Sequence, residues 1–312
     1  MASDTLLVLD GMSLLSRAYH ALPPLNAPDG TPTGAIQGFL QTLLKWYDAY
    51  RPTHVAVAFD RPGGTFRHRQ FEPYKAHRKP ADPELVQQFA IAEEMLGDMG
   101  IQVLGMPDFE ADDIIGTLRE MFRGCGGVVV VSGDRDLLQL VDASCEMVLA
   151  RSSLGGAQRY TPDKVRAEFG VYPAQVPDLK GLMGDASDGI PGVPGIGEKT
   201  AVRLLRGVNT LDELLALAVV DGERIEPLRI RVLLETYRDQ AMLSKDLATI
   251  RRDVQFDELA GIGVDALRWS LEDVSEPAWQ EIRQLGMHSV AARWGRVAAE
   301  LAGATEELGL FG

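Results

Sequence analysis

Short apolar runs that lead toward acidic residues restrict the fold of this chain more than any other feature. Five runs rich in valine, leucine and isoleucine occur in the first half, at residues 6–9, 54–59, 101–104, 128–131 and 147–150. Continuous runs are typical of strands buried on both faces, whereas half-exposed strands alternate apolar and polar residues. The intervening segments have helical spacing and length. The pattern predicts an α/β fold with a parallel β-sheet flanked by helices.

The second half of the chain has a different character. Beyond Thr161, an N-cap candidate, the periodicity is helical and no run is a convincing strand. Glycine and proline are dense between residues 181 and 197, and amphipathic helices follow. We therefore expect an α/β core over residues 1–178, an all-helical domain over residues 179–304 and a free tail over residues 305–312.

Acidic side chains lie at or near the ends of several predicted strands. Asp10 and Asp60 directly end apolar runs, where an exposed acid has no structural purpose. Because the carboxyl ends of parallel strands meet at one edge of a sheet, the acids should converge there. The candidate metal ligands are nine carboxylates: Asp10, Asp60, Glu110, Asp112, Asp113, Asp134, Asp136, Asp185 and Asp188. Each pair alone is more typical of a solvated surface, a turn or a helix cap, so the prediction depends on their combination.

Carboxylates that converge in this way require a positive partner, because like charges at short range repel strongly. Hard divalent cations with oxygen ligands, Mg²⁺ or Mn²⁺, would neutralise them. Two or more such ions suit the in-line hydrolysis of a phosphodiester. His68 and His77 lie among basic residues and are not placed as metal ligands. The sequence contains neither a serine nucleophile triad nor a dinucleotide-binding glycine loop.

The charge balance gives a misleading first impression. The chain has 31 basic and 45 acidic residues, a net charge of −14, which alone argues against a nucleic-acid partner. Residues 61–79, however, hold six basic residues and one acid, interleaved with aromatics. Tyr74 or Phe71 could stack on an unpaired base. The basic side chains placed to meet phosphates are Lys75, Arg78 and Lys79. The alternative is a solvated loop whose aromatics pack into the core, and it stays open for Phe66 and Phe71.

A glycine-rich turn leads directly into a helix in the run GVPGIGEKTA, which begins at Gly192. Such a turn exposes backbone N–H groups at a helix N-terminus, where a phosphate oxygen binds well. The pattern predicts a helix-hairpin-helix that grips the DNA backbone independently of sequence. Its candidate DNA-binding residues are Gly192, Gly195, Gly197, Lys199 and Arg203. The alternative is a plain connection between two helices.

Five stretches of the sequence resemble a known family. They read LLVLDGMSLLSRAYHALP, VAVAFDRPGGTFRHRQFEPYKAHRKP, FEADDIIGTL, VVSGDRDLLQLV and LMGDASDGIPGVPGIGEKTA. In this order they resemble the 5′ nucleases: the 5′–3′ exonuclease domain of bacterial DNA polymerase I, the phage 5′ exonucleases and the flap endonucleases. The similarity covers roughly residues 5–300 and is strongest to the bacterial polymerase type. All the acidic ligands of the family are present, so the resemblance implies an active enzyme with a PIN-like nuclease core.

The resemblance also implies roles for single residues. It places the first metal on Asp10, Asp60, Glu110 and Asp112, and the second on Asp134, Asp136 and Asp188, with Asp113 and Asp185 shared at the edge. It makes Lys75 and Arg78 the catalytic basic pair at the base of a helical arch over about residues 61–107. Tyr74 would flank the unpaired end, Arg17 and His20 would lie near the 5′ strand, and K⁺ would bind at the hairpin turn.

The substrates that the resemblance implies are DNA with 5′ flaps, nicks or 5′ ends, and RNA–DNA hybrids in primer removal. The final residues resemble a short sliding-clamp motif at Leu308, Leu310 and Phe311, with a frayed helix end as the alternative. Because no polymerase follows residue 312, we expect either a stand-alone nuclease or a domain of a longer protein. The sequence has no membrane span and no basic leader, so we expect a cytoplasmic, nucleoid-associated monomer. Its only cysteines are Cys125 and Cys145, which favours a reducing compartment, although a single disulfide between them stays possible.

Three other classes of protein share parts of the pattern. A haloacid-type phosphatase needs a second aspartate two residues after the first, but position 12 is Met. The smaller PIN-type ribonucleases lack the long basic insertion and the glycine hairpin. A non-catalytic DNA-junction binder would use the hairpin and the arch alone. Clustered carboxylates without metals would repel the phosphates of its DNA, which favours the enzyme.

Overall fold

A six-stranded β-sheet forms the centre of the molecule. The computed structural model describes residues 4–150, 157–256 and 263–309, the last eight of these by their backbone only. The strands are β1 (Asp4–Asp10), β2 (His54–Ala58), β3 (Gln102–Leu104), β4 (Gly126–Ser132), β5 (Cys145–Ala150) and β6 (Ala157–Tyr160). Their order across the sheet is β3-β2-β1-β4-β5-β6, and β1 to β5 are parallel. The parallel sheet is confirmed, and the unforeseen strand β6 adds an antiparallel edge beside β5.

The central strands are buried on both faces, as their continuous apolar runs predicted. In β1, Leu6 and Val8 pack into one hydrophobic core, whereas Leu7 and Leu9 pack into the core on the opposite face. Burial of each such side chain contributes about 1.5–3 kcal/mol relative to its exposure. Because both faces are covered, polar groups can gather only at the ends of these strands.

Helices of the first half cover the sheet. They are α1 (Gly11–Ala21), α2 (Gly34–Tyr50), α3 (Phe66–Gln70), α4 (Pro83–Asp98) and α5 (Ala111–Met121). Helices α1, α2 and α4 contact one another on one face, and α5 lies on the other face. The predicted arch range 61–107 therefore includes a core helix, α4, and the edge strand β3.

Helices of the second half divide between the two faces. They are α6 (Pro162–Phe169), α7 (Val176–Met183), α8 (Glu198–Leu205), α9 (Leu211–Val220), α10 (Leu228–Thr236), α11 (Arg238–Ala248), α12 (Glu276–Gln284) and α13 (His288–Gly309). Helix α6 has Thr161 as its N-cap residue and Pro162 at its first position, and its C-cap residue is Gly170, whose φ is +74°. No strand follows Tyr160 in the described parts of the chain, in agreement with the helical periodicity.

The predicted helical domain does not pack as one unit. Helices α7 to α11 pack into the core on the α5 side of the sheet. Trp269, Ile282 and Trp294 instead pack with α2 and α4 on the opposite face. The last part of the range 179–304 therefore packs with the α/β core. The boundary placed after residue 178 also lies inside α7.

Two further expectations concern single features of the chain. Cys125 is exposed, Cys145 is buried, and both are free thiols. The disulfide that the sequence left open is therefore not formed. Within the described ranges, no helix combines the length and the apolar character that a membrane crossing needs.

Candidate active site and nucleic-acid interface

The order of the strands reverses between β1 and β4, and the first candidate ligand lies at this point. Asp10 ends β1 and caps α1, accepting the Ser13 N–H at 3.0 Å and the Ser132 hydroxyl at 2.6 Å. Burial raises the pKa of Asp10 to about 7, and the charges of Asp60 and Asp134 add to the increase against the effect of these hydrogen bonds. Sites in open α/β sheets form at such reversals, beyond the carboxyl ends of the strands.

The end of β2 and the start of α5 supply the next carboxylates. Asp60 accepts the Ala111 N–H at 2.7 Å, which ties the end of β2 to the first turn of α5. One cleft of about 280 Å³ contains the acids Asp10, Asp60, Glu110, Asp112 and Asp134 together with Lys75 and Arg78. The predicted convergence at the sheet edge is therefore present in the structure.

A second group of acids lies beside this cleft. Carboxylate oxygens of Asp136, Asp185 and Asp188 lie within 4.8 Å of one another. Asp136 follows β4, while Asp185 and Asp188 belong to the loop between α7 and α8, so the helical half completes the site. Lys180 at the end of α7 contacts Asp136 and lies 2.6 Å from Asp185. Sequence reasoning missed Lys180, because it precedes the acidic motif and carries no strand-end signal.

The electrostatics of both groups favour a bound cation. Burial, followed by repulsion from Asp134 and Asp10, raises the pKa of Asp112 well above its ordinary value. Burial raises the pKa of Asp136 to about 7, and repulsion from Asp134 adds to the increase, although the attraction of Lys180 opposes it. The Lys180 ammonium already occupies a cation position between two carboxylates. An all-carboxylate donor set of this kind fits hard divalent cations.

Asp113 lies apart from the acids of the cleft and pairs with an internal cation. It is fully buried, and its two oxygens accept bidentate hydrogen bonds from Arg67, each at 2.7 Å. It also accepts the N–H groups of Glu110 and Arg251. Arg67 in turn donates to the carbonyl oxygens of Leu247 and Thr249 at the end of α11. This buried pair joins the α/β core to the helical half and was not foreseen for Arg67.

The predicted catalytic pair, Lys75 and Arg78, borders the carboxylates. The Lys75 ammonium lies 2.6 Å from Glu110, and the Arg78 guanidinium lies 2.5 Å from Asp188. Burial opposes ionisation of Glu110, but Lys75 and Arg67 outweigh it, so the pKa of Glu110 is lowered. The Lys75 N–H donates to the Asp188 carbonyl at 2.8 Å, and its backbone has a φ of +53°. A non-glycine residue in this region is uncommon and is typical of functional sites.

The ring of Tyr74 is not exposed to stack on a base. Its side chain is buried, and its hydroxyl donates to Glu110 at 2.9 Å. Phe71 packs against a small core that contains Ile190, which favours the core alternative for this residue, whereas Phe66 is half-buried with its ring tilted against that of Phe109.

Much of the basic segment is neutralised within the molecule. Arg61 pairs with Glu93 at 2.6 Å, and Arg69 pairs with Asp108. Lys79 is exposed and remains a candidate phosphate contact. The positive charge of residues 61–79 therefore serves the fold as well as the cleft.

Helix α1 carries the two residues expected near the 5′ strand. His20 is exposed at the end of α1, and Arg17 is half-buried beside the Gly133 turn, one residue from Asp134. The Arg17 Nε is buried without a hydrogen-bond partner among the described residues. Arg17 thus lies next to the cleft, whereas His20 lies one turn farther along the helix.

The glycine run forms a tight turn between α7 and α8, as expected. Gly195, Gly197, Lys199 and Arg203 are exposed, so their positions suit contact with a phosphate backbone. Gly192 differs from these residues, because it is buried and its N–H donates to the Ser244 hydroxyl at 3.0 Å.

The role of Gly192 is instead steric. A Cβ at this position would lie 2.1 Å from the Gly184 nitrogen, and its φ is +60°. Arg229 of α10 is a neighbour of the hairpin that sequence reasoning missed, with its guanidinium 3.5 Å from the Cβ position of Gly195. No turn motif marks it in the sequence. The proposed clamp residues Leu308, Leu310 and Phe311 lie outside the described side chains.

Comparisons with known proteins agree with this geometry. Residues 5–170 match the profile of the 5′-3′ exonuclease N-terminal, resolvase-like domain, and residues 171–270 match that of the 5′-3′ exonuclease C-terminal SAM fold. The chain belongs to the 5′-3′ exonuclease family. Its resolvase-like part holds the sheet and most of the carboxylates, and its SAM-fold part holds the hairpin.

Two relatives from one organism show how similar this chain is to other proteins of the family. It is 39% identical to the DNA polymerase I of Bacillus subtilis over 297 residues, covering 95% of this chain and 33% of that protein. A separate 5′-3′ exonuclease of the same organism is 41% identical over 219 residues, covering 69% of this chain and 74% of that protein. The chain thus spans about a third of the length of the polymerase relatives it matches.

Among solved structures, the T5 5′-exonuclease with bound zinc ions has the same fold. It aligns with a TM-score of 0.63 at 18% identity, covering 94% of this chain and 99% of that chain.

Proposed function

We propose that this chain is a structure-specific 5′ nuclease that hydrolyses DNA phosphodiesters with Mg²⁺ or Mn²⁺. Its activities would be 5′–3′ exonucleolytic cleavage and cleavage of 5′ flaps. The observation that carries the proposal is the convergence of carboxylates from both halves of the chain at one sheet edge, opposite Lys75 and Arg78. An exposed hairpin in the same molecule supplies a separate hold on duplex DNA.

The residues present fit two divalent ions. Asp10, Asp60, Glu110 and Asp112 would hold the first, and Asp134, Asp136, Asp185 and Asp188 would hold the second. When bound, such ions lower the pKa of a water molecule and stabilise the leaving oxygen of an in-line displacement. The carboxylates offer only oxygen ligands, which suits Mg²⁺ and Mn²⁺ better than softer metals.

The side chains of the protein itself orient the substrate and stabilise charge. Lys75 pairs with Glu110 of the cleft, and Arg78 pairs with Asp188 of the second group of acids. Both can therefore turn from a carboxylate to the scissile phosphate, where they would stabilise the charge that develops in the transition state. The φ of +53° at Lys75 and its N–H bond to Asp188 fix the backbone of this residue beside the second group of acids.

The hairpin would bind the duplex beyond the cleavage site. Gly195 and Gly197 offer backbone N–H groups, and Lys199 and Arg203 offer cations, with K⁺ as a further ligand of this turn. The 5′ single strand would then approach the carboxylate cleft past Lys79, Arg17 and His20. The product would carry a 5′-phosphate.

The substrates follow from this arrangement. They would be DNA with 5′ flaps, nicks or 5′ ends, and RNA–DNA hybrids, in primer removal during replication and in DNA repair. We place the chain in the cytoplasm at the nucleoid, as a monomer, with its tail at Leu308, Leu310 and Phe311 as a contact for a sliding clamp. Deletion of residues 308–312 should abolish capture by the clamp and leave cleavage of free DNA intact.

Cleavage of a 5′-labelled flap substrate tests the proposal. The wild-type chain should release short 5′ products with Mg²⁺ or Mn²⁺ and none with EDTA. Asp134→Ala should lose cleavage while it still binds the flap, because the hairpin is unchanged. Asp163→Ala, on the first turn of α6, is the matched control and should cleave normally. Binding by the wild type without cleavage in either metal would instead identify a non-catalytic junction binder.

A further inference from the structure

A groove on the helical half lies apart from both the carboxylates and the hairpin. It has a volume of about 490 Å³ and lies between the end of α6 and the end of α8, with Arg166, Tyr172 and Arg206 among its lining residues. The Arg166 guanidinium lies 4.6 Å from the centre of the Tyr172 ring. The tyrosine side chain is 51% exposed, so one face of its ring is open to the solvent. Stacking fixes the orientation of the guanidinium.

The two arginines of this groove carry charge that the protein does not neutralise. Within the described ranges, neither Arg166 nor Arg206 forms an ion pair with a carboxylate. Arg159 pairs with Glu146 and Arg231 with Glu235, whereas the exposed Arg293 and Arg296 form no ion pair within the described ranges either. The Glu213 carboxylate also lines the groove and accepts the Asn209 N–H at 2.8 Å, so the lining holds two guanidinium groups against one carboxylate. What distinguishes Arg166 and Arg206 is that both line one groove beside an exposed aromatic ring, an arrangement that suits an anionic partner.

The backbone beneath the groove is fixed. The Gln175 amide donates to the carbonyl oxygens of Leu205 and Val208, at 3.2 and 3.0 Å, and so ties the segment after α6 to the end of α8. A Cβ on Gly170 would lie 2.7 Å from the Val202 side chain, so α6 and α8 approach each other closely here. The groove therefore keeps a constant position relative to the hairpin that begins α8.

The groove continues the basic face that starts at the hairpin. Lys199, Arg203 and Arg206 follow one another on α8 at intervals of four and three residues, which places them on one helix face. The seven residue steps from Lys199 to Arg206 span about 10 Å along the helix. Measured along the axis of a duplex, which rises about 3.4 Å per nucleotide of each strand, that distance corresponds to at most about three nucleotides.

We propose that Arg166, Tyr172 and Arg206 form a second phosphate-binding site for duplex DNA, within about three nucleotides of the hairpin. This inference rests on the proposed function, because it takes the hairpin as the first contact with the duplex. The two guanidinium groups bind phosphate oxygens, and the tyrosine ring holds Arg166 in place. The site reads no sequence and lengthens the footprint on the duplex.

Equilibrium binding as a function of salt tests this site in the full chain. The substrates are flap DNAs in EDTA with a long duplex arm that reaches the groove or a short arm that ends at the hairpin. The test variant is Arg166→Gln with Arg206→Gln. The control is Arg293→Gln with Arg296→Gln, two exposed arginines on α13. For the long arm, the slope of log K against log salt should fall in magnitude by about 1.8 in the test variant, since each phosphate contact contributes about 0.9. The control variant should keep the wild-type slope.

Further measurements separate the possible failures. The test variant should bind the short-arm substrate and cleave it with Mg²⁺ like the wild type. Tyr172→Phe should keep the long-arm slope, whereas Tyr172→Ala should lose part of it. An unchanged slope in the arginine variant, or an equal loss on the short arm or on single-stranded DNA, would overturn the second site and leave the nuclease proposal standing. Wild-type protein that neither binds nor cleaves any flap would overturn both.

Discussion

Two adjacent aspartates in the first turn of α5 have different surroundings and different partners. Asp112 and Asp113 are neighbours in the sequence, but successive helical side chains point about 100° apart. Asp112 faces the carboxylate cleft, whereas Asp113 faces the interior and holds Arg67. The acidic motif alone therefore indicated too many ligands. A single sequence shows that the carboxylates cluster, but not which of them has an internal cation as its partner.

Opposite effects on stability should separate these two aspartates. Asp113→Asn should destabilise the protein by about 3 kcal/mol, because it leaves the buried Arg67 charge without its bidentate partner. Asp112→Asn should abolish cleavage but raise the melting temperature of the metal-free protein at neutral pH, on the order of 2 °C, because it removes a repelling charge. Thermal unfolding in EDTA, together with the flap assay, measures both effects. A destabilised Asp112→Asn protein would contradict this division of roles.

Lys180 gives a second prediction at the same scale. Its ammonium lies between Asp136 and Asp185, where a divalent ion would also bind. Lys180→Met should therefore bind Mn²⁺ about 10-fold more tightly in calorimetric titrations, since the ion no longer competes with an internal cation; this corresponds to about 1.4 kcal/mol. Lys164→Met, on the exposed face of α6, is the matched control and should bind Mn²⁺ like the wild type. Weaker binding by Lys180→Met would show that the lysine orients the ligands instead of competing with the ion.

At the scale of elements, the strands were predictable and their partners less so. The five apolar runs gave β1 to β5 because burial on both faces leaves an uninterrupted apolar signal. Strand β6 was missed because an edge strand is half-exposed, and its sequence Ala157–Tyr160 is mixed. The sequence predicts that the basic segment contacts DNA, but two of its side chains, Arg67 and Tyr74, are buried in the structure. Their partners come from α5 and α11, which no local pattern connects to residues 66–74.

The loop between α7 and α8 permits a test of element geometry with two of its glycines. Gly192→Ala should destabilise the protein by about 2 kcal/mol or more, because a Cβ there meets the Gly184 backbone and the φ is +60°. Gly197→Ala is the matched control, since a Cβ there has no neighbour within 4 Å and its φ of −95° suits any residue. Chemical denaturation of both variants measures the difference. Equal stability of the two would show that the loop shifts to accept the Gly192 side chain.

At the scale of the whole molecule, the two halves are joined at the site and again at the C-terminus. Arg67 links the α/β core to α11, and the Asp188 loop contacts the backbone of Lys75. Trp294 of α13 packs against the face of the sheet opposite α7 to α11. Sequence periodicity predicts these C-terminal helices but not the face of the sheet that they cover. An amphipathic pattern shows that one side of a helix is buried, but not which element it packs against. The site therefore depends on contacts between segments far apart in the chain.

The stability of the whole molecule should depend on pH in a direction set by the carboxylate cluster. The pKa values of Asp10 and Asp136 are raised to about 7, above their ordinary value of 3.8. Between these limits the folded state binds more protons than the unfolded state, so the free energy of unfolding falls as pH rises. Carboxylates with lowered pKa values, such as Glu110, act in the opposite direction but are already ionised by about pH 5. The melting temperature in EDTA should therefore decrease from about pH 5 to about pH 7.5.

Divalent ions should reverse this trend, because they bind the ionised carboxylates and are excluded by protons. Saturating Mg²⁺ should raise the melting temperature strongly at about pH 7.5 and little at about pH 5, with about 2.7 kcal/mol of stabilisation at 100 times the dissociation constant. Asp112→Asn should show a flatter pH dependence in EDTA, whereas Asp163→Asn, outside the cluster, should follow the wild type. A metal-free protein that gains stability from pH 5 to pH 7.5 would show that internal cations such as Lys180 already neutralise the cluster. Metal binding would then have to displace those cations instead of relieving repulsion.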